Sequence, residues 1–453
     1  MTGSYLRNTT ADYITGAVSA CEGVRDSVVL LNGPLGCRFY HGYASGQGVL
    51  KPSELWHLRG ELRLDGAMDD HLLRSQYFAG TPQVPGSNLR YEDYIFGSRD
   101  QLRRALNDIF AERRYSLLAV IQTPGTSLIG EALEGELEAI SQEYGVPCLF
   151  IESPELSGNS FIGYDECTAR LLELLLPKGD AKPRRSGKRV NLFGFHTYQK
   201  YLEGDLDEVT RLLGLCGVEV NCAMGANCPI ERLRSIPESD ANIYFAPERC
   251  GKTRDCLRSA CGLPELDFGV MPIGFDLTER FVREVCALLD AEPSPALEDI
   301  EAARARAFYY IARYTGGRGF QADTRYAVEG EYSLLCSYVD YLSGYMGLRP
   351  EAVHPLYTQS SQAKPRLEKL LSNLGCSDAL ERDIARVKDA ILIGGANTIL
   401  EAEAYSENIY GIEIASPSSG YINVIPKTHL GCRGALFLLE QVLNGVKLLN
   451  AWN

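Results

Sequence analysis

The sequence predicts an α/β protein built from three doubly wound, Rossmann-like domains with parallel sheets. Short apolar or β-branched runs alternate with helical patterns of about ten to fifteen residues in three successive stretches, the rhythm of strand–helix–strand units. The chain has 453 residues, enough for several cores at about 100–200 residues per domain. A polar stretch with two prolines, Pro177 to Arg189, has no apolar periodicity and reads as a linker between the first and second units. The expected domains are therefore residues 1–180, 188–296 and 297–453.

In the first unit Ser27 to Leu31 reads as a buried strand ending in the loop Asn32-Gly-Pro-Leu-Gly-Cys37. Leu117 to Gln122 is a second strand. It is followed by the turn Thr123-Pro-Gly-Thr126, the helical pattern Ile129 to Ile140 and the strand Pro147 to Glu152. The second unit opens with the strand Val190 to Phe195 and the helix Leu206 to Leu215. The strands Val218 to Cys222, Ala241 to Ala246 and Phe268 to Pro272 follow. Alternating Ala, Glu and Arg from Leu297 to Arg313 predict a connecting helix. The third unit is read as a helix over Glu331 to Gly344, strands at Asp389 to Gly395 and Ile409 to Ile414, and a closing helix from Gly434. Parallel sheets of this kind place ligands at the carboxyl ends of their strands and in clefts between domains.

Composition removes several function classes. Acidic side chains outnumber basic ones 59 to 45, for a formal charge of -14, and no basic block carries interleaved aromatics, so nucleic acid is not an expected partner. No apolar run is long enough to span a membrane, and the first residues lack a secretory pattern, so a cytoplasmic protein is expected. In a reducing compartment the 14 cysteines are free thiols: small buried apolar residues, metal ligands, or both. No Cys-x-x-Cys occurs, so any cluster would collect ligands from distant segments or from another subunit.

Cys37 is the sharpest local feature, a thiol presented at a strand end behind two glycines and a proline. It can be a soft-metal ligand or a nucleophile, and a plain turn with a buried thiol accounts for it equally well. Cys21, on the preceding helix, reads as packing. His41 follows Cys37 in Cys-Arg-Phe-Tyr-His, and His429 stands just before the last helix. Each single histidine is weighed against an ordinary structural role. Gly251-Lys-Thr253 ends like a phosphate-binding loop, but Ala246 stands where its first glycine belongs, so the chain is not expected to hydrolyse ATP itself. Serine-hydrolase elbow and His-Glu-x-x-His zinc motifs are absent.

Several segments in order resemble component 1 of nitrogenase and its relatives, among them the dark-operative protochlorophyllide reductases and the cofactor assembly scaffold. Gly33-Pro-Leu-Gly-Cys37 is similar to the loop that supplies a cluster cysteine there. Tyr91-Glu-Asp-Tyr-Ile-Phe-Gly-Ser, Thr123-Pro-Gly-Thr-Ser-Leu-Ile-Gly-Glu and Glu152-Ser-Pro-Glu-Leu-Ser-Gly-Asn resemble further segments of its first domain. Val190-Asn-Leu-Phe-Gly, Ala241-Asn-Ile-Tyr-Phe and Met271-Pro-Ile-Gly-Phe-Asp resemble its second.

The resemblance implies an oxidoreductase subunit paired with a homologous or identical chain. It also implies an iron–sulfur cluster (4Fe-4S) shared at the subunit interface, and a separate ATP-dependent iron–sulfur reductase as electron donor. Cys37 is the implied cluster ligand, with Cys21 a displaced substitute; Cys250, His429 and His41 are candidates for the substrate or cofactor cavity. The departures are as specific as the matches. The family's first cluster cysteine falls near Thr10 to Asp12 and its third on Pro124. The cofactor cysteine falls near Ala246, and Ser416 to Asn423 holds no histidine. Dinitrogen reduction is therefore not expected. The alternatives are reduction of another substrate, a cofactor-assembly scaffold, or a cluster-poor structural partner subunit.

Overall fold

The computed structural model describes residues 12–34, 77–78, 81–82, 84–112, 114–152, 158–177, 187–317, 319–320, 324–356, 361–406, 408–415 and 425–451. Cys37, His41, most of the linker, part of the loop after Glu152 and the segment 416–423 lie outside them.

Three parallel sheets carry the fold. The first has the order β1 (Ser27–Asn32), β4 (Leu117–Gln122), β5 (Cys148–Ile151); β2 (Tyr77–Phe78) and β3 (Thr81–Pro82) form a separate short hairpin. The second sheet is β7 (Glu219–Ala223), β6 (Arg189–Phe193), β8 (Ala241–Tyr244), β9 (Glu265–Asp267). The third repeats that order as β11 (Arg349–Pro355), β10 (Arg325–Gly330), β12 (Ala390–Gly395), β13 (Ile409–Ala415). In the second and third sheets the chain starts on an inner strand, steps outward, then returns on the other side. The order reverses between β6 and β8 and between β10 and β12, which opens a crevice at their carboxyl ends. Strands β1, β4, β8 and β12 are buried along their whole length, which explains their unbroken apolar runs.

The sheets share cores. One apolar cluster, including Phe245, Phe281, Tyr341 and Leu439, runs between the second and third sheets; another, including Val18, Leu171, Phe193 and Tyr244, joins the first to the second. The helix Ser294–Tyr314 forms where the Ala, Glu and Arg pattern predicts it, and Gly431–Ala451 closes the chain. Asp12 caps the helix Tyr13–Glu22 through Oδ1, which accepts from the Thr15 amide at 2.9 Å. Asn159 caps the helix Ser160–Leu175 in the same way.

Several readings change: the helix read from Ile129 begins at Glu134, and the helix read over Glu331 to Gly344 is α-helical over Tyr332–Val339 and continues as a π-helix over Asp340–Tyr345. The strand expected over Phe268 to Pro272 is instead β9 at Glu265–Asp267. The Phe268 amide still donates to the Tyr244 carbonyl of β8 at 3.0 Å, but Gly269, at φ +72°, turns the chain, and Val270 enters the core beyond the ladder. Strands β10 and β11 are additions. β11 carries Pro350 and Pro355, which argue against a central strand, and it is indeed an edge strand.

Candidate functional site

A cavity of about 90 Å³ lies where the three sheet units meet. The turn after β6 brings His196, Gln199 and Lys200; the turn after β8 brings Arg249; β10 ends in Gly330 and Glu331; β13 brings Ile414. The helices Tyr13–Glu22 and Ser160–Leu175 close the other side with Ser19, Phe161 and Tyr164, and His429 arrives from the segment before the last helix.

Its charged groups are paired. Arg249, 5% exposed, is bound to the carboxylate of Glu331, and its guanidinium lies 4.8 Å from the Phe161 ring centroid. Lys200 Nζ is 2.5 Å from Glu413 Oε2. Both ion pairs tie the second unit to the third. His196 is held differently. Burial and the neighbouring Arg249 guanidinium push its imidazole well below the usual histidine range, so it is neutral. Its ring meets Tyr164 edge-on, with centroids 6.4 Å apart, and the Tyr164 hydroxyl donates to the Phe195 carbonyl at 2.7 Å.

His429, 2% exposed, is enclosed. Its Nδ1 is 2.8 Å from the Tyr338 hydroxyl, and its Nε2 is 2.9 Å from Asp205 Oδ2, off the line of an ideal hydrogen bond. Asp205 also accepts from the His429 amide at 2.9 Å, from Thr428 Oγ1 at 2.8 Å and from Gln199 Nε2 at 2.7 Å. That carboxylate locks the histidine segment onto the second unit.

Cys250, 3% exposed, does not line the cavity. It packs in the core between the first and second sheets, where burial pushes its thiol well up. Its neighbour Arg249 takes the cavity position. Cys21 is buried with its Sγ 3.3 Å from Cys167 Sγ, inside the contact of the two helices. Among the described residues no group of three or more His, Cys, Asp or Glu side chains is placed to hold a metal ion.

A second feature lies at the carboxyl ends of β1 and β4. The Asn32 carbonyl accepts from Thr126 Oγ1 at 2.8 Å and from the Thr123 amide at 3.1 Å, and the two threonine hydroxyls are 3.0 Å apart. Glu131 accepts from Ser98 N and Oγ at 2.6 and 2.8 Å, fixing the start of the helix Arg99–Glu112. Beside this rim, Phe96 (85%) and Leu128 (88%) are exposed together with Tyr91 and Ile95.

The donor sets can be tested against the metal groups that the sequence resemblance implies. Around the cavity no described thiolate is available, the carboxylates face cations and the His429 ring is enclosed between the Tyr338 hydroxyl and the Asp205 carboxylate, so a metal-bearing cofactor does not fit there. At the β1 and β4 rim the described hydroxyls are committed to one another and Pro124 opens the turn. The described rim contributes no thiolate, so the residues do not fit a cluster held by this chain alone.

A three-sheet α/β protein with its cavity at the carboxyl ends of two facing sheets belongs to the class of multidomain enzymes and binding proteins that place ligands between doubly wound domains. Within that class, the family model described as nitrogenase component 1 type oxidoreductase matches residues 14–447, and the chain belongs to that family. It is 23% identical over 228 residues to the nitrogenase iron-molybdenum cofactor biosynthesis protein NifE of Clostridium pasteurianum, a match covering 50% of this chain and 43% of the relative. It is 28% identical over 227 residues to a subunit of the light-independent protochlorophyllide reductase of a Synechococcus species, covering 47% and 42%. The matches thus span less than half the length of these relatives. The solved structure described as nitrogenase Cp1 at pH 6.5 superposes with a TM-score of 0.75 at 16% identity, over 97% of this chain and 92% of that one, and supports the fold. No described helix is long and apolar enough to cross a membrane.

His196, Arg249, Lys200 and Glu331 were not among the sequence candidates. Each follows a strand of the second or third sheet, and that position is the signal that could have found them.

Proposed function

We propose that the chain is one subunit of a nitrogenase-like reductive complex whose inter-domain cavity holds an organic substrate, not a dinitrogen-reducing cofactor. The carrying observation is the cavity wall: ion-paired Arg249 and Lys200, neutral His196 and a locked His429, with no thiolate among its described lining. The partner is a homologous or identical component 1 subunit. A separate ATP-dependent iron–sulfur reductase supplies low-potential electrons, in keeping with the lack of a phosphate-binding loop in this chain.

Cys37, which follows the β1 end, is proposed as this chain's ligand to a 4Fe-4S cluster shared at the subunit interface. Such a cluster supplies one-electron transfer at low potential. The exposed Tyr91, Ile95, Phe96 and Leu128 beside that rim suit a surface covered in a complex. The chain's own residues shape the cavity: Tyr164 and Phe161 wall it, and Arg249 joins its three sides.

The NifE likeness favours a second reading, a cofactor-assembly scaffold, and Pro124 favours a third, a cluster-poor structural partner. The test is anaerobic purification with the partner, followed by iron analysis and visible absorption. The intact complex is expected to carry iron, most of which is lost in Cys37→Ala; an iron-free, colourless complex refutes the proposal. A scaffold would keep its cluster and pass it on without turnover.

A further inference from the structure

The polar lining of the cavity divides into two sets. Its cations are already matched, Arg249 by Glu331 and Lys200 by Glu413. Apart from His429 Nε2, which faces the Asp205 carboxylate, the buried lining atoms left without a hydrogen bond belong to uncharged groups. Ser19 Oγ and Gln199 Oε1 are buried and lack a partner, and the His196 ring has no hydrogen bond to a described residue. The Gln199 amide has one possible orientation, because Nε2 donates to Asp205 Oδ2 at 2.7 Å and a carboxylate only accepts. Oε1 is therefore an acceptor without a donor. The neutral imidazole offers one N–H and one lone pair, and the serine hydroxyl can turn either way.

Buried polar atoms without partners are few in folded proteins, and two of them beside an uncommitted imidazole in one cavity call for an occupant. A charged occupant would have to break an ion pair or sit desolvated without a counter-charge. An uncharged group that both donates and accepts hydrogen bonds satisfies the lining as it stands. We propose that the cavity recognises a net-neutral organic molecule through a carboxamide, lactam or hydroxyl group held by His196, Ser19 and Gln199. This rests on the cavity being the substrate site, but its test needs no electron delivery and is separate from the iron measurement.

Acetamide, acetate and acetamidinium are near-isosteric probes that are neutral, anionic and cationic. Titrated into the full-length protein and followed by ligand-observed NMR, acetamide is expected to bind most tightly. His196→Phe fills the same space without polar atoms and is expected to weaken acetamide by about tenfold, the scale of one lost buried hydrogen bond. His196→Gln, which keeps a donor and an acceptor, is expected to retain most of the binding. Equal or tighter binding of acetate or acetamidinium, unchanged acetamide binding in His196→Phe, or a cavity that takes only water would each overturn the proposal. The charge comparison in the unmutated protein stands even if His196→Phe does not fold.

Discussion

Arg249→Ala is expected to destabilise the protein by about 3–5 kcal/mol, the cost of stranding one member of a buried ion pair. Arg249 sits in the turn after β8, Glu331 follows β10, and Phe161 belongs to the helix Ser160–Leu175. One guanidinium thus touches all three sheet units, by charge to the third and by its face to the first. Removing it leaves the Glu331 side chain, only 14% exposed, without its cation. Against a typical total stability of about 5–15 kcal/mol, that is a large fraction. Urea denaturation measures it. The double variant Arg249→Ala/Glu331→Gln should recover part of the loss, because the stranded charge is gone, and a double-mutant cycle isolates that coupling. Arg249→Lys keeps the charge but not the planar fork over Phe161, and should fall between. If Arg249→Ala unfolds at the same urea concentration as the parent, the pair does not join the units.

How far the sequence could be read depends on what buries each element. Strands enclosed on both faces announce themselves as apolar runs, and β1, β4, β6, β8 and β12 were legible for that reason. β10 mixes Arg325 and Glu329 into six residues, and β11 contains two prolines, so neither has a strand's pattern. Phe268 to Pro272 has the right composition, but only its start bonds to β8 before Gly269 turns the chain away from the ladder. The site was harder to read. His429, singled out for its place before the last helix, does line the cavity, whereas a lone arginine, lysine or histidine after a strand carries no spacing signal. Cys250 drew attention because it stands close to the cofactor-cysteine position that the resemblance implies, yet Arg249, one residue earlier, lines the cavity. Within a turn, neighbouring side chains face opposite environments, and only the fold decides which one faces the cavity.

Gly163→Ala tests the other wall of that cavity, and its sign matters more than its size. An alanine is ordinarily better than a glycine inside a helix by about 1 kcal/mol. At Gly163, however, a Cβ would lie 2.0 Å from the Tyr13 carbonyl oxygen, and at Gly16 it would lie 2.0 Å from the Ser160 carbonyl oxygen. The helices Tyr13–Glu22 and Ser160–Leu175 therefore cross backbone to backbone, each through the other's glycine. No side-chain rotation relieves a clash with a carbonyl, so the helices must separate. The expected net loss is about 3 kcal/mol, the upper end of the usual overpacking range. The displacement also moves Ser19, Phe161 and Tyr164, so acetamide binding should weaken in parallel with stability. Gly214→Ala is the control. It lies in the helix Leu202–Leu215, is exposed and would have no atom within 4 Å of its Cβ, so there the helix preference acts alone and stability should rise. Equal gains at both positions would mean that the two helices do not meet through their glycines.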